Sequence, residues 1–175
     1  YADIAQNVLG KYGKATAIIT NSATDPHDFE PTTADAKKVQ NAKIVVANGL
    51  GYDSWLPKLA KSTNKSAVLV GEDLMNLKNG ANPHIWFDLN MPKKYVNYLV
   101  ERLSKIDKKH AAYYKENGKE YLAKINKIQK IADSIDGAKQ KPVYVSEPVF
   151  DYALNATHFK IGDKAFEEAI ENETD

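Results

Sequence analysis

Apolar residues recur at three- and four-residue spacing in some stretches of this chain and run together in others, and the two patterns alternate along its first half. Ile4, Ala5, Val8 and Leu9 share one face of a helix over 2–9, closed by Gly10 and Gly13. Lys14 to Thr20 is a β-branched run between Gly13 and Asn21 and predicts a buried strand. Thr33 or Asp35 can cap a helix running through Val39, and residues 42–49 predict a second buried strand that ends in a glycine turn. A helix over 51–61, with Trp55, Leu56 and Leu59 on one face, and a strand over 66–71 follow. Strands alternating with helices predict an α/β fold, a Rossmann-like parallel-sheet lobe covered on both faces.

The texture changes near Met91. Tyr95, Tyr98, Leu99, Leu103 and Ile106 form one helical stripe, and Tyr113, Tyr114, Tyr121, Leu122, Ile125, Ile128, Ile131 and Ile135 form another. A helix from about Lys108 to Ile135 would be roughly 40 Å long at 1.5 Å per residue, more than a small lobe needs, and is expected to be a strut between lobes. Gly137 ends it. Lys141 to Ser146 then predicts a strand, followed by Glu147-Pro148, a helical stretch over 149–154 and an acidic tail with Glu167, Glu168, Glu171, Glu173 and Asp175. The expected organisation is a first lobe over 1–106, a long linking helix over 107–136, and the start of a truncated second α/β lobe over 137–175.

Composition narrows the functional classes. The chain has 175 residues, 43% hydrophobic and 27% charged, enough for one ordinary domain and a remainder. Its formal net charge is +1 with both signs interspersed, which argues against a nucleic-acid partner or an anionic membrane surface. With no cysteine, disulfides and thiolate metal sites are excluded, and imidazole, carboxylate and water remain as metal ligands. No apolar run approaches the roughly 20 residues that cross a bilayer. Tyr1 opens directly into a helical pattern, so any export signal is expected to have been removed.

Two turns carry the candidate chemistry. Asn82-Pro83-His84 and Asp25-Pro26-His27 each set a histidine after a proline, whose fixed φ stiffens the backbone that presents the imidazole. A lone histidine is more often structural than functional; two Pro-His turns among four histidines make a pattern. His27, His84 and Glu147 each follow a predicted strand, and ligands of open parallel sheets bind outside the carboxyl ends of the strands. Two imidazoles and a carboxylate suit a divalent first-row metal. Asp25, Asp28 and Asp88 are near enough in sequence to orient the imidazoles. The competing reading is that both turns are structural and Glu147 is a surface acid. His110 is expected on a solvated helix face, His158 on the surface, and Trp55 and Trp86 in packing. Gly49-Leu50-Gly51 is too short for a phosphate loop, and neither a Ser/His/Asp set nor paired catalytic carboxylates are evident.

The runs Asp25-Pro26-His27-Asp28-Phe29-Glu30-Pro31-Thr32, Ala47-Asn48-Gly49-Leu50-Gly51-Tyr52-Asp53-Ser54-Trp55 and Gly80-Ala81-Asn82-Pro83-His84-Ile85-Trp86-Phe87-Asp88 resemble, in order and spacing, the zinc- and manganese-binding solute-binding proteins of ABC transporters. The resemblance implies two α/β lobes joined by one long helix, with a divalent metal ion, Mn or Zn, between them. It implies His27 and His84 as first-lobe ligands and Glu147 as a second-lobe ligand. It also implies a fourth ligand beyond Asp175 and a leading strand before Tyr1. The implied function is an extracytoplasmic receptor, periplasmic or a surface lipoprotein, that delivers the metal to a membrane permease and meets the membrane only through an anchor or signal since removed. Glu147 in place of a third imidazole favours manganese narrowly over zinc. Two other classes stay open: a metal-dependent hydrolase, for which the His-Glu-x-x-His helix is absent, and a surface adhesion module. A chain short of strands in both lobes is further expected to bind metal poorly alone or to form a homodimer by strand exchange.

Overall fold

The computed structural model describes residues 1–78 and 80–171; Glu173 and Asp175 of the predicted acidic tail lie outside them. Its helices are Ala2–Leu9 (α1), Thr33–Asn41 (α2), Trp55–Ser62 (α3), Asn90–Ile106 (α4), Ala111–Asp133 (α5), Asp151–Ala156 (α6) and Lys164–Glu171 (α7). Val45–Ala47 (β1) and Ala67–Leu69 (β2) pair in parallel, with Val46 opposite Val68. Parallel neighbours require a crossover, and α3 supplies it. The α/β expectation holds, in a helix-rich form with a small parallel sheet.

Two apolar clusters hold these elements. In the larger, Ile4, Ala5 and Val8 of α1 meet Tyr95, Val96, Leu99 and Leu103 of α4 and Tyr114 of α5, with Leu50, Val70 and Ile85 from the loops. The helical stripe read from the sequence is thus the buried face of α4. Gly118 lets α5 approach closely, since a Cβ there would lie 2.5 Å from Val100 Cγ2. In the smaller cluster, Val39 of α2, Val45 and Ala47 of β1, and Leu56 and Ala60 of α3 close over the sheet.

Several elements depart from expectation. The 14–20 run is not a strand: Ala15 N–H donates to Gln6 Oε1 at 2.9 Å and Ile18 packs on the smaller cluster, but no described strand lies beside it to complete a ladder. Likewise, 141–146 contributes one parallel bridge, Val143 with Ile161. Strand propensity expresses itself only where a neighbour is available. Helix α2 is capped by Thr32, one residue before the expected range, in a reciprocal box with Asp35. Helix α3 begins at Trp55 rather than near 51, because Gly49, Leu50 and Gly51 have φ of 82°, 57° and 86° and cannot enter a right-handed helix. The long helix is α5, roughly 35 Å at 1.5 Å per residue, preceded by a separate 3-10 turn at Lys108–His110. Its first turns pack on α1 and α4, whereas Ile128 and Ile131 near its end are 48% and 63% exposed.

Candidate metal centre

The turn carrying His84 is fixed from three sides. Asn82 Oδ1 accepts from the His84 backbone N–H at 3.0 Å, an Asx turn, and pairs with the ring Nδ1 at 2.7 Å. Since this oxygen can only accept, Nδ1 carries the proton and Nε2 the lone pair. Below the turn, Asn48 at the end of β1 donates through Nδ2 to Pro83 O at 2.9 Å and Gly49 O at 3.1 Å, while its Oδ1 accepts from the Tyr1 hydroxyl. Asn48 is 2% exposed and His84 6%. Burial pushes the His84 imidazole below its ordinary pKa; Glu147 opposes this, His27 adds to it and Asp151 opposes it.

The first Pro-His turn repeats the local device in a different setting. Asp25 Oδ1 accepts from the His27 backbone N–H at 2.8 Å, and Trp55 of α3 donates from Nε1 to Pro26 O at 3.0 Å. The Trp55 ring also packs on Phe29, with centroids 4.7 Å apart. His27 itself is exposed. Its ring meets Tyr52 edge-on at 4.9 Å, and Tyr52 meets His84 at 6.2 Å, so one aromatic ring contacts both imidazoles. Trp86 packs on both Tyr52 and His84, at 5.1 and 5.2 Å.

Tyr52 is presented by the left-handed run at Gly49-Leu50-Gly51. That run binds carboxylates, although they are the chain's own: Asn48 N–H and Gly49 N–H donate to Asp53 at 2.7 and 3.0 Å, and Leu50 N–H donates to Glu72 Oε1 at 2.8 Å. A Cβ at Gly49 would fall 1.9 Å from Glu72 Oε2, so both its φ and the space require glycine.

Glu147 approaches from the other end of the chain. Pro148 is buried and its carbonyl accepts from Asn82 Nδ2 at 2.7 Å, Tyr152 donates its hydroxyl to Asn82 O at 2.9 Å, and Phe150 packs on Phe87 at 4.9 Å. The Glu147 carboxylate is exposed yet close enough to favour protonation of His84. Among the described residues, no three His, Asp or Glu side chains are gathered at metal-ligand spacing. The two imidazoles both meet Tyr52 and Glu147 acts electrostatically on His84, residue types that fit a divalent metal but are not closed into a coordination shell.

Residues 1–175 match the family described as zinc-uptake complex component A, periplasmic (ZnuA). The chain belongs to the ZnuA family. It is 31% identical over 173 residues to the metal ABC transporter substrate-binding lipoprotein SloC of Streptococcus mutans, covering 89% of this chain and 56% of that protein. It is 28% identical over 165 residues to the manganese-binding lipoprotein MntA of Halalkalibacterium halodurans, covering 90% and 55%. The crystal structure of the metal-dependent lipoprotein YcdH from Bacillus subtilis matches with a TM-score of 0.78 at 26% identity, over 91% of this chain and 62% of that one. The chain spans about half the length of the curated relatives it matches.

Within this ZnuA-family chain the remaining histidines lie away from the centre. His158 is exposed in a left-handed turn, as expected of a surface residue. His110 is not on a solvated face: its ring stacks on Tyr12 at 3.6 Å and its Nδ1 pairs with Asp107 Oδ2 at 2.7 Å. That bond, and then the one from Tyr114, hold the Asp107 carboxyl below its ordinary range. Two of the three acids expected to orient the imidazoles, Asp25 and Asp88, hold backbone instead. Asp25 holds backbone N–H and Asp88 accepts from Asn90 N–H at 2.8 Å, while Asn82 orients the His84 ring. Tyr52, Asn48 and Asn82 lie inside the runs that carry the family resemblance, but the sequence reading assigns them no role. Asn82 leaves the further signal of an amide two residues before a candidate ligand.

Proposed function

We propose that this chain forms the metal-capturing part of an extracytoplasmic receptor that takes a divalent transition metal, Mn2+ or Zn2+, and passes it to the membrane permease of an ABC transporter. The observation that carries this reading is the convergence of His27 and His84 on Tyr52, with Glu147 tied beside the His84 turn through Pro148. His27, His84 and Glu147 are the ligands, in a mixed N/O set in which a single carboxylate leaves manganese narrowly favoured over zinc. Residues 1–106 act as the first metal-binding lobe, 107–136 as the linking helix and 137–175 as the start of a second lobe. The protein works outside the cytoplasmic membrane, as a lipoprotein or in the periplasm, and captures rather than converts its substrate. Names among its relatives support this: SloC is a metal ABC transporter substrate-binding lipoprotein and MntA a manganese-binding lipoprotein.

The test is competitive titration of the full-length protein with Mn2+ and Zn2+ against a chelator. His27→Ala, His84→Ala and Glu147→Ala are each expected to weaken binding, and unchanged affinity in His84→Ala would refute the site. Metal-dependent turnover of an ester, peptide or phosphate ester that His84→Ala abolishes would instead establish the hydrolase reading. For the isolated chain, homodimerisation by strand exchange is supported by the small sheet, since neither β1 nor β2 has a second partner among the described residues. Light scattering that shows a monomer at every concentration would refute it.

A further inference from the structure

We propose that Asn82 is the positioning residue of this site, fixing which nitrogen of His84 faces the metal and holding the Glu147 segment against that imidazole; this rests on the reading of His84 and Glu147 as ligands. Every polar group of Asn82 beyond its own N–H is committed to one of these tasks. Oδ1 takes both N–H groups of His84, from the backbone at 3.0 Å and from ring Nδ1 at 2.7 Å. Nδ2 reaches Pro148 O at 2.7 Å, the residue next to Glu147, and Asn82 O accepts the Tyr152 hydroxyl at 2.9 Å.

The chemistry favours an amide over a carboxylate here. An acid would orient the ring equally well, but it has no N–H for Pro148 O and would set an anion against that carbonyl. Alanine would release both sides. Without an acceptor at Nδ1, a neutral imidazole is free to take the other tautomer, with its proton on the nitrogen the metal needs. The strap also accounts for how the exposed Glu147 stays near His84 although 147 and 84 belong to distant parts of the chain: Pro148 is buried under Asn82 and Phe150 packs on Phe87.

The experiment uses the metal-free full-length protein, nitrogen-15 labelled, at a pH where its histidines are neutral. The wild-type His84 should show the Nδ1–H tautomer, Asn82→Asp should retain it, and Asn82→Ala should lose it. Backbone relaxation at Glu147 should rise in both variants, because both lack the donor to Pro148 O. Zinc affinity, measured by chelator competition, should fall about 10- to 100-fold in Asn82→Ala, the range for partners that orient a metal-binding imidazole. An Nε2–H tautomer in the wild type, an unchanged tautomer in Asn82→Ala, or unchanged Glu147 relaxation in Asn82→Asp would each overturn the proposal. If His84→Ala leaves zinc affinity intact, the ligand assignment fails instead; the tautomer and relaxation arms judge Asn82 without any metal present.

Discussion

His27 and His84 are introduced by the same backbone device, an Asx oxygen that accepts the histidine's own N–H across a proline, at 2.8 and 3.0 Å. One of them is exposed, in a turn held from α3 by the indole of Trp55; the other is 6% exposed and held by Asn48, Asn82 and an apolar floor that includes Ile85. A short motif therefore sets the direction in which an imidazole leaves the chain, and tertiary contacts decide whether it is locked there. Under the proposed ligand assignment, the contrast would pair one preorganised ligand with one more exposed, an arrangement suited to a receptor that must both seize and release its cargo.

Substitutions can break this contrast, and the largest effect belongs to the two proposed ligands. His27→Ala and His84→Ala should both cost more than about 100-fold in metal affinity, beyond what outer partners contribute. They should differ in the absence of metal. His27→Ala should leave denaturant stability within about 0.5 kcal/mol of wild type, as for surface positions, whereas His84→Ala should lose on the order of 1–3 kcal/mol by removing a buried ring and one of the two N–H groups that Asn82 Oδ1 accepts. Equal stabilities would erase the distinction between the turns.

Next in size is the pair of amide and indole anchors. Asn48→Ala removes the partner of Pro83 O and of the buried Tyr1 hydroxyl and should cost on the order of 2–3 kcal/mol. Trp55→Phe removes the bond to Pro26 O and part of a ring that packs on Phe29, and should cost about 1 kcal/mol. Urea unfolding measures both, and a larger loss for Trp55→Phe would reverse the ranking of the two turns.

The smallest expected effect is the contribution of the buried turn to the pH dependence of stability. Folding holds the His84 imidazole below its unfolded pKa of about 6.5. The unfolded chain therefore binds the proton first, and stability should fall as pH drops from about 6.5 toward the depressed value, then level off once both states are protonated. His84→Gln should remove that slope from unfolding curves compared across this range. A slope that persists unchanged would assign it to another group.

How much of this was legible in the sequence follows the range of the contacts involved. Both Pro-His turns, the two paired strands, and the helices up to α5 were visible because proline, glycine and apolar periodicity act within a few residues. The 14–20 and 141–146 runs carry the same local signals as β1 and β2 and still form no ladder, because a strand is a property of two segments. His110 was misread because the ring that stacks on it, Tyr12, comes from near the start of the chain, far from it in sequence. Tyr52 and Asn48 sit inside a run that carries the family resemblance, yet nothing local says that one ring would contact two imidazoles or that one amide would carry the carbonyl of a distant proline.

The most direct test of the central claim reads the four histidines of residues 1–175. In the full-length protein with labelled imidazoles, substoichiometric Mn2+ broadens most strongly the signals of the rings it binds. The expected result is that His27 and His84 broaden together and before His110 and His158. Broadening that begins at His110 or His158, or that reaches His84 without His27, would contradict a metal centre built from the two Pro-His turns.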